Sequence, residues 1–225
     1  MKPSSRLVTP LVKAILSMPC RVDSSELARV PRRGPLIVAI NHINFLEVPL
    51  VYAHLYPRDS VGMVKRETWA NPLIGLLADV WGSIALDRGS TDLRAMRLAL
   101  DALAARRILL LAPEGTRSGH GRLQRGHGGI VQLALRSGAP ILPVAHFGGE
   151  GFWANLRSLR KTRFVFRVGQ AFRLRAPEGG LTKSARAEMT DQVMNRLSIL
   201  LPPAYRGVYG EPESAPTDRL EFLGA

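Results

Sequence analysis

The sequence predicts a single α/β domain in which a mostly parallel central sheet is covered by helices. Short apolar runs recur along the chain, and segments with helical patterning, about ten residues or longer, separate most of them. The 225 residues, 46% of them hydrophobic, suffice to bury one full core.

The elements follow in order. At the N-terminus Lys2 and Arg6 precede Leu7, Val8, Leu11, Val12, Ala14, Ile15, Leu16 and Met18, a run split by Pro10 and Lys13. No small-residue cleavage site follows it, so it reads as an amphipathic interfacial anchor rather than a signal peptide. A polar stretch ending at Gly34 leads into 35–40, short and apolar throughout, as a strand buried on both faces would be. Similar runs at 61–64, 82–86, 108–112 and 141–147 complete the expected parallel set. A helix over 91–107 is expected with Ser90 or Thr91 as its cap, Asp92 in its first turn, and Leu93, Met96, Leu100 and Leu103 on one stripe. Arg106 and Arg107 would close it, where the helix dipole favours cations. A second helix spans 129–136 before Ser137 and Gly138, and a third spans 183–200 before Pro202 and Pro203. Between them, 164–168 and 172–174 alternate apolar with basic residues, like strands with one solvated face. The stretch 202–225 is expected to be irregular.

Lysine and arginine total 31 against 18 acids, giving a formal charge of +13 that attracts anions. Nucleic acid is disfavoured as the partner, because the basic residues are dispersed and no recognition motif accompanies them. The single cysteine, Cys20, excludes an intramolecular disulfide and fits a reducing, cytoplasmic setting. Asp79 and Gly82 interrupt the most apolar stretch, 69–86, so no spanning helix is expected. The histidines at 42, 54, 120, 127 and 146 show no metal-ligand spacing, and no metal is expected.

Several segments carry chemistry. The first core strand runs into His42 and, five residues on, Glu47, at the carboxyl end of a strand where open α/β sheets bind ligands. On one helix these side chains would diverge by about 140°, so they can meet only across a loop-to-helix corner, which Pro49 favours. There the carboxylate could hold one imidazole nitrogen and leave the other free to accept a proton. Equally, Asn44 could cap the helix with Glu47 as its capping-box partner and His42 as a core residue. Next, Pro113-Glu114-Gly115-Thr116-Arg117-Ser118 follows another strand. Its glycine permits close backbone approach, and its arginine offers a planar fork that matches a phosphate. The segment 82–88 ends a strand with Asp87 and Arg88. In 139–144, Pro143 within a strand implies an edge, a bulge or a close approach to a ligand.

In order and spacing these segments resemble the four sequence blocks of the 1-acylglycerol-3-phosphate acyltransferase family, across 35–147, about half the chain. Glu114 to Ser118 is the most specific part. The family's first block usually ends in aspartate, whereas this chain has Glu47, one methylene longer. The resemblance implies a glycerolipid acyltransferase-like domain, expected over 35–201; residues 1–34, from their own amphipathic pattern, are expected to be a membrane-associating extension. It further implies transfer of a fatty acyl group to 1-acylglycerol 3-phosphate, giving phosphatidic acid in phospholipid biosynthesis. His42 would be the general base and Glu47 its orienting partner. Lys65, Arg88, Glu114, Gly115, Thr116, Arg117 and Pro143 would bind substrate, and backbone N–H groups near Gly115 would face the oxyanion. The co-substrate would be acyl-CoA or an acyl-carrier protein, with no other cofactor, and the enzyme would work peripherally at a membrane surface. A transferase of the same fold acting on glycerol 3-phosphate or another lysophospholipid, or a non-catalytic phospholipid-binding module, would carry similar blocks.

Overall fold

A computed structural model describes residues 3–87 and 92–224. The chain forms α1 (Pro3–Ser17), β1 (Cys20–Asp23), β2 (Leu36–Ile40), α2 (Glu47–Leu55), β3 (Ser60–Lys65) and α3 (Pro72–Trp81). There follow β4 (Ile84–Leu86), α4 (Leu93–Ala104), β5 (Ile108–Leu111), α5 (Gly129–Ser137), β6 (Ile141–Phe147) and α6 (Phe152–Arg157). The last elements are β7 (Thr162–Val168), β8 (Phe172–Leu174), α7 (Lys183–Ser198) and β9 (Leu220–Phe222).

The main path of the sheet is β1-β7-β6-β2-β5-β3-β4, with β8 beside β6 and β9 beside β8. The pairs β6–β2, β2–β5, β5–β3 and β3–β4 are all parallel, as expected. Every residue of β2 is buried, because helices cover both faces. Ile37 and Ala39 point into a layer built with α4, α5 and α7, while Leu36, Val38 and Ile40 point into one built with α1, α2 and α3.

The departures are local. The cap of α4 is Asp92, whose Oδ1 accepts the N–H of Ala95 at 2.8 Å; positions 90 and 91, expected in that role, lie outside the described residues. Arg107 lies beyond the end of α4, and its Nε donates to Asp59 at 3.1 Å instead of meeting the helix dipole. In β7, Phe164, Val165 and Phe166 are buried in succession, because β7 lies between β6 and β1 and is covered on both faces. The N-terminal segment is built into the domain, since β1 pairs in parallel with β7. The stretch after Pro202 is not wholly irregular either: β9 pairs antiparallel with β8.

Pro143 sits inside β6, opposite Ala39, rather than at an edge of the sheet. On the other side of β6 its carbonyl accepts the N–H of Gly169 at 2.9 Å, just past the Val144–Val168 end of the β7 ladder, so the proline forgoes only its own donor where that ladder ends. Among the described residues, no helix is long and apolar enough to cross a membrane.

Candidate active site

The four adjacent parallel strands β2, β5, β3 and β4 end at one cavity of about 190 Å³. Its floor is apolar, with Val48, Val51 and Tyr52 from α2 facing Met63, Leu110 and Leu111. Its polar lining includes His42 and Glu47 after β2, Lys65 at the end of β3, and Gly115, Thr116 and Arg117 after β5. Six of the nine residues expected to act or bind are thus brought together by strand ends that are distant in sequence.

His42 and Glu47 meet across a tight corner. The Nδ1 of His42 is hydrogen bonded to Oε1 of Glu47, whose side chain is only 2% exposed. The other oxygen, Oε2, accepts the N–H of Asn44 at 2.8 Å. Asn44 Oδ1 in turn accepts the N–H of Leu46 at 2.8 Å, and its amide donates to the carbonyl of Gly149 at 2.9 Å. Glu47 therefore orients the histidine with one oxygen and ties the Asn44 turn with the other. Asn44 accepts from Leu46, ahead of α2, and His42 lines the cavity, so the geometry is that of an orienting pair and not of a capping box with His42 in the core. With Nδ1 occupied, Nε2 of His42 is the nitrogen left to exchange a proton.

Glu114 does not line the cavity. It is 2% exposed, and its two oxygens accept the N–H of His42 at 2.7 Å and of Gln124 at 2.8 Å. Burial pushes its carboxyl up to about 7, against the pull of those two N–H donors. Ser118 and Gly119 donate their N–H groups to the carbonyls of His42 and Ile43 at 2.8 and 3.0 Å, so the loop after β5 is stitched to the corner after β2. Gly115 has φ +67°, and a Cβ there would lie 2.9 Å from the ring of His127; the glycine thus serves the turn and the histidine behind it. Its own N–H is committed to the carbonyl of Ala112 at 3.1 Å, which removes it as an oxyanion donor.

Two further expectations change. Pro143 points into the α4–α5–α7 layer, opposite the cavity, where a Cβ on Gly169 would lie 2.8 Å from its ring. Arg88 lies outside the described residues. Its neighbour Asp87 is paired with Arg66, one bond being from Nη2 to Oδ2 at 2.7 Å, which ties the end of β4 to the residue after β3.

Asn41 and His146 escaped sequence reasoning. Asn41 Nδ2 donates to the carbonyl of His146 at 2.9 Å, and the N–H of His146 donates to Asn41 Oδ1 at 2.8 Å, locking the end of β2 to β6. His146 is fully buried, with Nε2 at 2.9 Å from the Asn41 carbonyl and 3.6 Å from Glu47 Oε2. A signal was available: histidine is the only ionisable residue in 141–147, and the strict alternation of that strand points it to the same face as the apolar Leu142 and Val144.

Comparison with known proteins gives concordant results. The sequence model of the family described as Acyltransferase matches residues 21–146. A lyso-ornithine lipid O-acyltransferase of Pseudomonas aeruginosa is 34% identical over 114 residues, covering 50% of this chain and 43% of that protein. A 1-acyl-sn-glycerol-3-phosphate acyltransferase of Limnanthes alba is 31% identical over 150 residues, covering 65% of this chain and 52% of the relative. The chain thus spans about half the length of these relatives. In fold it matches the crystal structure of the 1-acyl-sn-glycerophosphate acyltransferase of Thermotoga maritima, with a TM-score of 0.61 and 19% identity over 84% of this chain and 75% of that one.

Proposed function

The chain belongs to the acyltransferase family, and on that premise we propose that it moves a fatty acyl group from a thioester to the free hydroxyl of 1-acylglycerol 3-phosphate, giving phosphatidic acid. The observation that carries the reading is the single cavity shared by the His42–Glu47 pair, an apolar floor and the cationic groups of Arg117 and Lys65. Nε2 of His42 takes the proton of the acceptor hydroxyl as its oxygen attacks the thioester carbonyl. A C–O bond forms, the C–S bond breaks, and the proton passes to the departing thiolate. Glu47 holds the imidazole and stabilises its cation, a role carried elsewhere by aspartate in such pairs. Arg117 and Lys65 meet the acceptor phosphate, and the apolar floor takes acyl carbons. The donor is acyl-CoA or acyl-carrier protein, and no other cofactor enters.

The lipid substrate calls for a membrane surface, and α1 supplies one contact. Its inward side carries buried Ser5 and Thr9, with Thr9 Oγ1 accepting from Trp81 Nε1 at 3.0 Å, while Leu7, Leu11 and Ile15 form an exposed stripe at helical spacing, continued by Met18 just after the helix. Trp153, Leu156 and Leu159, exposed beside Arg157, Arg160 and Lys161, supply a second.

A second acceptor merits a place because a relative 34% identical carries the name of a lyso-ornithine lipid acyltransferase. One assay separates the two: purified protein, a panel of acyl thioesters, and lysophosphatidic acid or lyso-ornithine lipid as acceptor. Diacyl product from the phosphate-bearing acceptor is expected. Product from the ornithine lipid alone would move the proposal to that acceptor, and thioester-independent lipid binding with no product would leave a binding module.

A further inference from the structure

His146 lies directly behind the proposed catalytic pair and takes no part in the reaction as written above. A carbonyl oxygen only accepts, so the 2.9 Å contact with Asn41 requires that Nε2 of His146 carry the hydrogen. Nδ1 is then bare, and among the described residues it has no hydrogen-bond partner. The ring lies near Phe164 and Phe166, with centroids 6.4 and 6.0 Å away. A second proton, on Nδ1, would be stranded in that apolar wall. Burial holds the imidazole below its ordinary range; it outweighs Glu47, the Asn41 carbonyl and Glu150, which favour the cation, and His42 acts in the same direction as burial. His146 is therefore a fixed neutral dipole, not an acid or base.

Its N–H has two oxygens in front of it. One is the carbonyl of Asn41, the residue before His42; the other is Oε2 of Glu47, 3.6 Å away. We propose that His146 is a positioning residue for the His42–Glu47 pair, its Nε2–H fixing the Asn41 carbonyl and facing the inner oxygen of Glu47 so that the buried carboxylate is aimed at the His42 ring. The Glu47 carboxylate lies between the two histidines, with Oε1 on His42 and Oε2 3.6 Å from His146. This role rests on the acyl-transfer reading for its kinetic consequence, but not for its geometry.

The test has a substrate-free arm and a kinetic arm. In the first, imidazole nitrogen NMR of labelled wild-type protein should show His146 as the neutral Nε2–H tautomer between about pH 5 and pH 8. The Nδ1–H signal of His42 should broaden in His146→Phe and return in His146→Gln, whose amide restores a donor. In the second, His146→Phe should lower kcat by about tenfold with KM for the lysolipid unchanged, and His146→Gln should recover most of it. The cost of Glu47→Asp should be at least ~5-fold smaller in the His146→Phe background than in wild type, because the two changes break the same arrangement. An Nδ1–H or doubly protonated His146, wild-type kcat in His146→Phe, or losses that simply multiply would each overturn the proposal. Should wild-type protein acylate no acceptor, the transfer reading fails, and the NMR arm still decides the place of His146.

Discussion

Glu114 accepts the backbone N–H of His42 at 2.7 Å from a position 72 residues further along the chain. That bond, with the second one to Gln124, makes a buried carboxylate the clasp between the two loops that build the site. The most specific-looking motif in the sequence therefore contributes Glu114 and the Ser118 backbone to the cavity's support, and Gly115, Thr116 and Arg117 to its lining.

The clasp has a pH signature. Burial raises the folded-state carboxyl to about 7, above its unfolded value of roughly 4.3, so the native protein binds the extra proton in that window. The contribution of Glu114 to stability is fully present below the unfolded value and is lost as pH rises through the folded one. Glu114→Gln removes this dependence: the stability difference between wild type and variant, from urea unfolding, should change by on the order of 3 kcal/mol between about pH 4 and pH 8, in favour of wild type at the acid end. The same variant leaves one N–H of His42 or Gln124 without its acceptor, and kcat should fall with it. A difference independent of pH would show that Glu114 titrates normally.

His42→Ala should abolish transfer, lowering kcat by about 10² to 10⁴-fold. The ring is 15% exposed at the cavity, so the thermal midpoint should move by only a few degrees, about what a loss of 1 kcal/mol produces. Substantial product from this variant would reject the base.

Arg117 is exposed at the cavity and holds no structural position like that of Glu114. Arg117→Ala should raise KM for lysophosphatidic acid by roughly 10- to 100-fold, the value of a charge-assisted hydrogen bond, with kcat little changed. Lys65→Ala should act in the same direction and more weakly. Equal losses toward a phosphate-free lysolipid would show that the arginine does not read phosphate.

The stripe on α1 can be tested apart from the chemistry. Leu7 is 81% and Leu11 60% exposed, so Leu7→Asp with Leu11→Asp should leave the unfolding midpoint unchanged. Flotation with anionic vesicles should drop by about tenfold or more, since two apolar side chains are lost and two like charges face the lipid. Undiminished flotation would assign membrane binding to the Trp153–Leu159 turn alone.

Most of the scaffold could be read from the sequence. The five parallel strands emerged because each carries a short apolar run, unbroken in β2 and interrupted in β6 only by His146, a local signal that no partner is needed to interpret. The corner at Glu47 followed from helix geometry, since two residues five apart cannot share a face. β1 and β9 were missed for the complementary reason. Arg21 and Asp23 sit in a strand only because β7 offers its edge, and Glu221 only because Arg173 of β8 lies opposite.

By itself, then, the sequence determined the sheet, its carboxyl-end loops and the types of group those loops carry, because periodicity and motif are properties of neighbours along the chain. Which way each group faces was decided in three dimensions. Strand alternation sends Pro143 to the far layer and His146 to the near one, and chain packing turns Glu114 inward while leaving Arg117 at the opening. Glu114 meets His42 across 72 positions and His146 meets Asn41 across 105, so no local pattern names those partners.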